Sequence, residues 1–70
     1  MKIQYDASVD VLTIRLKDGI YSESDEVAAN IIIDFNENGI PLAIEILNAR
    51  QVLDSDGMFK LELPLQTTAS

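Results

Sequence analysis

The sequence predicts a mainly β protein, built as a small antiparallel meander sheet of four to five strands with at most one short helix. Apolar and polar residues alternate with a period of two in several short segments, as they do in strands that bury one face. Short polar connections separate these segments, which favours antiparallel neighbours. The chain of 70 residues has room for one domain, which we expect to span residues 1–70.

Each strand is predicted from the side chains that would share its apolar side. Residues 2–5 open the sheet, and residues 12–16, 31–35, 42–47 and 58–65 follow. In that order, the apolar sides carry Ile3 and Tyr5; Leu12, Ile14 and Leu16; Ile31, Ile33 and Phe35; Leu42, Ile44 and Ile46; and Phe59, Leu61, Leu63 and Leu65. Pro64 has no backbone N–H group, so the last strand is expected at an edge of the sheet.

Polar residues and glycine mark the connections between these strands. Residues 6–10 form a short polar loop, and residues 36–39 end in Gly39, which tolerates the positive φ of a tight hairpin. Residues 19–29 are predicted as the longest connection because they are acidic and rich in serine, although Ile20 and Val27 leave pairing with a neighbour open. Only residues 49–53 have room for a helix, of about one turn.

The apolar side of this sheet needs a cover. A sheet with one apolar face lays it against a helix or a second sheet, and the sequence offers no long amphipathic helix. We therefore expect the face to be covered by dimerisation or by curling into a roll. In a chain this short, apolar burial roughly balances conformational entropy, and this balance favours a homodimer.

The charge of the chain is concentrated in its middle. Twelve acids and five bases give a net charge of −7, and residues 18–49 contain seven of the acids and no base. This stretch would repel a phosphate backbone, so we expect no nucleic acid partner. A basic protein partner is the natural complement, and solubility is the simpler explanation of the charge. The candidate partner-binding residues are Glu23, Asp25, Glu26 and Glu37.

The composition argues against an enzyme and against a cofactor. Without cysteine or histidine, the chain lacks a thiolate nucleophile, the usual general base and the usual transition-metal ligands. Asp6 and Asp10 flank one loop, where capping of free backbone N–H groups explains them better than acid–base catalysis. No segment is long and apolar enough to cross a bilayer, so we expect no membrane contact and a cytoplasmic location.

One motif offers an alternative function, a calcium-binding module using the loop of residues 34–45. Its spacing satisfies the EF-hand pattern, in which carboxylate and amide oxygens surround the ion and a glycine makes the sharp turn. However, an EF-hand needs a helix on each side, and here both flanks alternate as strands. We expect a hairpin turn, and calcium binding stays the alternative through the ligands Asp34, Asn36, Asn38 and Glu45.

Two segments resemble a known prokaryotic family. The opening Tyr5-Asp6, followed after three residues by Asp10-Val11-Leu12, and the segment Ile44-Glu45-Ile46-Leu47 are similar to the domain of unknown function 2283. The resemblance covers residues 1–53 and departs at Ala43, where the family commonly has glycine. It implies no catalytic or ligand residues. Some members of this family are encoded beside small basic toxin-like proteins, so the resemblance implies an antitoxin-like role.

Overall fold

The computed structural model describes residues 1–53, which form one five-stranded antiparallel sheet and one short helix. In chain order, the elements are β1 (Lys2–Asp6), β2 (Val11–Arg15), β3 (Tyr21–Ala28), β4 (Ile31–Asn36), β5 (Pro41–Leu47) and α1 (Ala49–Leu53). The predicted fold class, mainly β with antiparallel strands and one short helix, is confirmed. The strand predicted at residues 58–65 lies outside the described residues.

The strands are ordered β1-β2-β5-β4-β3 across the sheet, which differs from a simple meander. β1 and β2 pair as one hairpin, while β4 pairs with both β3 and β5. The two units join because β5 also pairs with β2, with Leu12 opposite Ile46 and Ile14 opposite Ile44. Among the strands of residues 1–53, β5 therefore lies at the centre of the sheet, and β1 and β3 form its two edges.

The prediction of a connection over residues 19–29 was wrong for most of its length, because residues 21–28 form β3. Every residue of β3 is exposed, so no alternation between a buried and an exposed face marks it in the sequence. Its backbone hydrogen bonds to β4 hold it in place, with bulges between Tyr21 and Glu23 and between Glu26 and Ala28. Bulges of this kind are common in edge strands.

Two rows of apolar side chains cross one face of the sheet and form its core. Directly opposite residues of antiparallel strands share a face, so the register defines each row. One row contains Ile3, Ile14, Ile44 and Ile33, and the other contains Tyr5, Leu12, Ile46 and Ile31. Leu12 and Ile46 are buried, and Ile3, Tyr5 and Ile44 pack against them.

The short helix is fixed to this face by Asp10. The main-chain carbonyl of Asp10 accepts a hydrogen bond from the Ala49 N–H group at 3.0 Å, and its carboxylate accepts one from the Arg50 N–H group at 3.2 Å. The same carboxylate oxygen accepts the Tyr5 hydroxyl at 2.6 Å, and this bond raises the pKa of Tyr5. Asp10, in the turn between β1 and β2, therefore links β1 to α1. These bonds hold Ala49 fully buried against the core.

The helix covers only part of the apolar face. Only Ala49 of its five residues is buried, against Leu12 and Ile46, whereas Ile3, Ile14 and Ile33 remain half-buried. A cover supplied by a second copy or by curling into a roll stays a prediction. Within residues 1–53, no helix is long and apolar enough to span a membrane.

Replacing Asp10 by alanine should destabilise the fold more than replacing it by asparagine. Asp10 has a φ of 57°, a left-handed conformation that asparagine tolerates and alanine does not, and alanine also loses both side-chain hydrogen bonds. We expect Asp10→Ala to lower the free energy of unfolding by about 2 kcal/mol and Asp10→Asn by less than about 1 kcal/mol. Urea unfolding followed by circular dichroism measures both, and equal losses for the two variants would contradict the role of Asp10.

Candidate polar site on the sheet

The opposite face of the sheet gathers polar side chains from four strands. One row across it places Arg15 of β2, Ala43 of β5, Asp34 of β4 and Ser24 of β3 opposite one another. Glu45 lies two residues after Ala43 on the same face of the central strand. We use the name polar cluster for the side chains of Arg15, Tyr21, Ser24, Asp34 and Glu45, which line one depression.

A chain of hydrogen bonds runs through the polar cluster from the edge of the sheet to its centre. The Tyr21 hydroxyl and the Ser24 hydroxyl lie 2.8 Å apart, and the Ser24 hydroxyl donates to Asp34 Oδ1 at 2.6 Å. Asp34 in turn shares a hydrogen bond with Glu45. Side chains as well as backbone groups therefore connect β3, β4 and β5.

Glu45 keeps its proton to a much higher pH than an ordinary glutamate. Its hydrogen bond to Asp34 raises its pKa to about 7, burial and the negative charge of Asp34 act in the same direction, and Arg15 opposes them. Two carboxyl groups that share a hydrogen bond repel each other when both are ionised. The pair of Asp34 and Glu45 therefore retains one proton close to neutral pH.

The depression over the polar cluster is open to solvent and has a volume of about 390 Å³. Ala43 and Leu42 are among its lining residues and are 2% and 4% exposed. The small side chain of Ala43 leaves space between Arg15 and Asp34, which stand on either side of it in the row. Gly19 approaches Leu42 so closely that a Cβ atom would lie 2.7 Å from Leu42 Cδ2. Two small residues therefore shape the depression.

The residues predicted for partner binding lie along the β3 edge of the sheet. Glu23 and Asp25 stand opposite residues of the apolar face, whereas Glu26 stands opposite Ile32 on the polar face. Glu37 lies in the turn after β4, next to the Tyr21 end of β3, and is exposed. We use the name acidic edge for Glu23, Asp25, Glu26 and Glu37.

The predicted calcium ligands are divided between two strands and the turn that joins them. Asn36 Oδ1 accepts hydrogen bonds from the N–H groups of Asn38 at 2.9 Å and Ile40 at 3.0 Å, so it caps the hairpin turn. Gly39 takes a φ of 78° in this turn, while Asp34 and Glu45 bond to each other on the polar face. In the described part of the chain, no group of three or more acidic, histidine or cysteine side chains could hold a metal ion. Nothing in these contacts favours calcium.

Sequence analysis missed the polar cluster, although it singled out Asp34 and Glu45 for another reason. Alternation along β2 places Arg15 on the side opposite Leu12 and Ile14, which is a signal that it faces away from the core. The proximity of Arg15 to Asp34 depends on the pairing of β2 with β5, and no local sequence pattern predicts that pairing. Tyr21 and Ser24 were missed because β3 itself was not predicted.

The fold and the polar cluster define a small antiparallel sheet protein with a hydrogen-bonded pair of carboxyl groups on its polar face. The chain belongs to the family described as "Protein of unknown function (DUF2283)", which matches residues 2–50 and confirms the resemblance. It is similar to the uncharacterized protein MJ0789 of Methanocaldococcus jannaschii, with 41% identity over 56 residues that cover 80% of this chain and 47% of the relative. The chain thus spans about half the length of this curated relative. No solved structure matches it.

The shared proton predicts that Glu45 stabilises the fold most at acidic pH. The pKa of Glu45 rises from 4.5 to about 7 on folding, so the folded chain holds this proton more tightly. The stabilisation is full below a pH of 4.5, declines as pH rises and is lost above a pH of about 7. For a partly exposed pair screened by solvent, we expect it to reach about 1–2 kcal/mol.

Urea unfolding of the wild type and of Glu45→Gln, from about pH 4 to about pH 8, measures this contribution. The glutamine amide can still donate to Asp34 but does not titrate, so the difference in free energy between the two proteins should change over this range. A difference that stays constant with pH would contradict the shared proton.

Proposed function

We propose that this protein is a non-enzymatic, cytoplasmic binding module that holds a basic segment of a partner protein along β3. The exposure of the whole of β3 carries this proposal: it is an edge strand with three acids, in a stretch of the chain without a base. An edge strand has backbone N–H and C=O groups on its outer side that can pair with a strand of another protein. Lysine and arginine side chains of that strand would meet the acidic edge.

The same charges also determine which strands β3 accepts. Acidic side chains and bulges on an edge strand hinder pairing with other edges, and β3 has both. Only a strand that brings positive charge offsets the repulsion, so the acidic edge favours a basic partner over another copy of this chain. Complementary charge also speeds the encounter between partners, and it does so most at low salt.

The polar cluster would add a second contact for such a partner. Ser24 of β3 borders the depression and bonds to Asp34, so a lysine or arginine side chain projecting from a strand paired with β3 would lie near Asp34 and Glu45. Its positive charge would lower the raised pKa of Glu45 and release the proton of this carboxyl group. Binding should therefore tighten as pH rises through neutral.

An antitoxin-like role is one form of this proposal. The family resemblance implies small basic toxin-like proteins as neighbours of some members, and a basic toxin would complement the acidic edge. A small module without its own catalytic groups would act by covering the basic surface of such a partner.

Binding of a fluorescent peptide with alternating lysines should depend on the acidic residues of β3. We expect the triple variant Glu23→Gln, Asp25→Asn, Glu26→Gln to bind about tenfold more weakly at low salt, because each lost ion pair contributes a few tenths to about 1 kcal/mol. Fluorescence anisotropy of the full-length protein measures the affinity. The wild type should also bind more tightly at about pH 8 than at about pH 6, and Glu45→Gln should reduce that difference.

A matched control variant distinguishes the effect of the β3 acids on affinity from the effect of the net charge. The variant Asp54→Asn, Asp56→Asn, Glu62→Gln removes the same number of acids from residues outside 18–49, and we expect it to change the affinity less than about threefold. Equal losses of affinity in the two triple variants would mean that net charge alone attracts the peptide, which would contradict a binding site on β3.

A further inference from the structure

The two edges of the sheet differ in ways that bear on self-association. β3 carries three acids and two bulges, whereas β1 pairs with β2 in regular register over all five of its residues. An antiparallel pairing of β3 with β3 of a second copy, centred on the strand, would place Glu23 opposite Glu26. Like charges directly opposite each other destabilise a strand pair. The β3 edge is therefore unsuited to joining two copies.

The sequence of β1 is complementary to itself when it is reversed. In an antiparallel pair centred on Gln4, Lys2 of one copy stands opposite Asp6 of the other, and Ile3 stands opposite Tyr5. Two-fold symmetry forms each of these pairs twice. Opposite charges and aromatic residues facing β-branched residues are both favourable cross-strand pairs. Four of the five residues of β1 thus find a favourable counterpart in a second copy, and Gln4 stands opposite Gln4.

The neighbours of Lys2 within one copy also favour this pairing of two β1 strands. Within one copy, Lys2 stands directly opposite Arg15 of β2, a like-charge pair that costs free energy. A carboxylate on the outer side of Lys2 would offset this cost, and the exposed Asp6 of a second copy is the group that the reversed register brings there. Asp6 is ionised over a wide pH range, because its hydrogen bonds from Ser8 lower its pKa.

We propose that two copies of this chain join through β1, antiparallel and centred on Gln4, so that two five-stranded sheets become one continuous sheet. The symmetry axis runs perpendicular to the sheet, so the Ile3 and Tyr5 side chains of both copies extend a single apolar face. The pairing leaves both β3 strands at the outer edges of the sheet that the described residues form. This interface goes beyond the proposed function and does not depend on it, since partner binding by β3 needs only one copy.

Sedimentation of the full-length protein tests this pairing through charge reversal. Lys2→Glu places a second carboxylate opposite Asp6 and should raise the dimer dissociation constant about tenfold or more, since two favourable pairs become repulsive. Lys60→Glu makes the same change of charge outside the described residues and should have little effect. Asp6→Lys alone should weaken the dimer as Lys2→Glu does, and circular dichroism checks that each variant folds.

A mixture of the Lys2→Glu and Asp6→Lys proteins gives the decisive result. Each chain then carries charges that oppose those of the other along β1, so mixed dimers should form at concentrations where either variant alone is monomeric. The double variant Lys2→Glu, Asp6→Lys should likewise regain the dimer. A monomeric wild type, a Lys2→Glu dimer as tight as the wild type, or a mixture that associates no better than its components would each overturn the proposal.

Discussion

The pairing of β5 with both β2 and β4 is the constraint on which the rest of this structure depends. It joins a hairpin and a three-stranded unit into one sheet, and it aligns apolar residues of four strands into the two rows of the core. Without this pairing, each unit would expose an apolar strand edge and too little apolar surface to fold alone. The same pairing determines what the other face contains, because Ala43 and Glu45 alternate with Ile44 and Ile46 along β5.

The polar face places an ionisable group, Glu45, half-buried on the central strand of the sheet. Its ionisation is opposed by Asp34 and favoured by Arg15. The small side chain of Ala43 leaves the space in which these longer side chains meet, which explains why a large residue would not suit this position. These side chains line an open depression, so a partner can reach them.

The strands that bury one face could be predicted from the sequence, whereas β3, which buries neither face, could not. Leu12 and Ile14 of β2 and Ile44 and Ile46 of β5 alternate with polar residues because they enter the core. β3 has no buried residue, so its pairing with β4 left no periodic signal. Local sequence patterns could not predict the polar cluster either, but for a different reason. Arg15 and Asp34 are brought to either side of Ala43 by pairings between strands that are distant in the chain.

Hydrogen exchange of backbone amides, resolved by residue, tests the central position of β5 most directly. The N–H groups of β5 bond to strands on both sides, whereas alternate N–H groups of β3 face the outer side of the sheet that the described residues form. We predict that amides of residues 42–47 exchange at least about tenfold more slowly than the fastest amides of residues 21–28, because they open only when the sheet unfolds. Rapid exchange throughout β5 would place it at an edge and contradict this account of the fold.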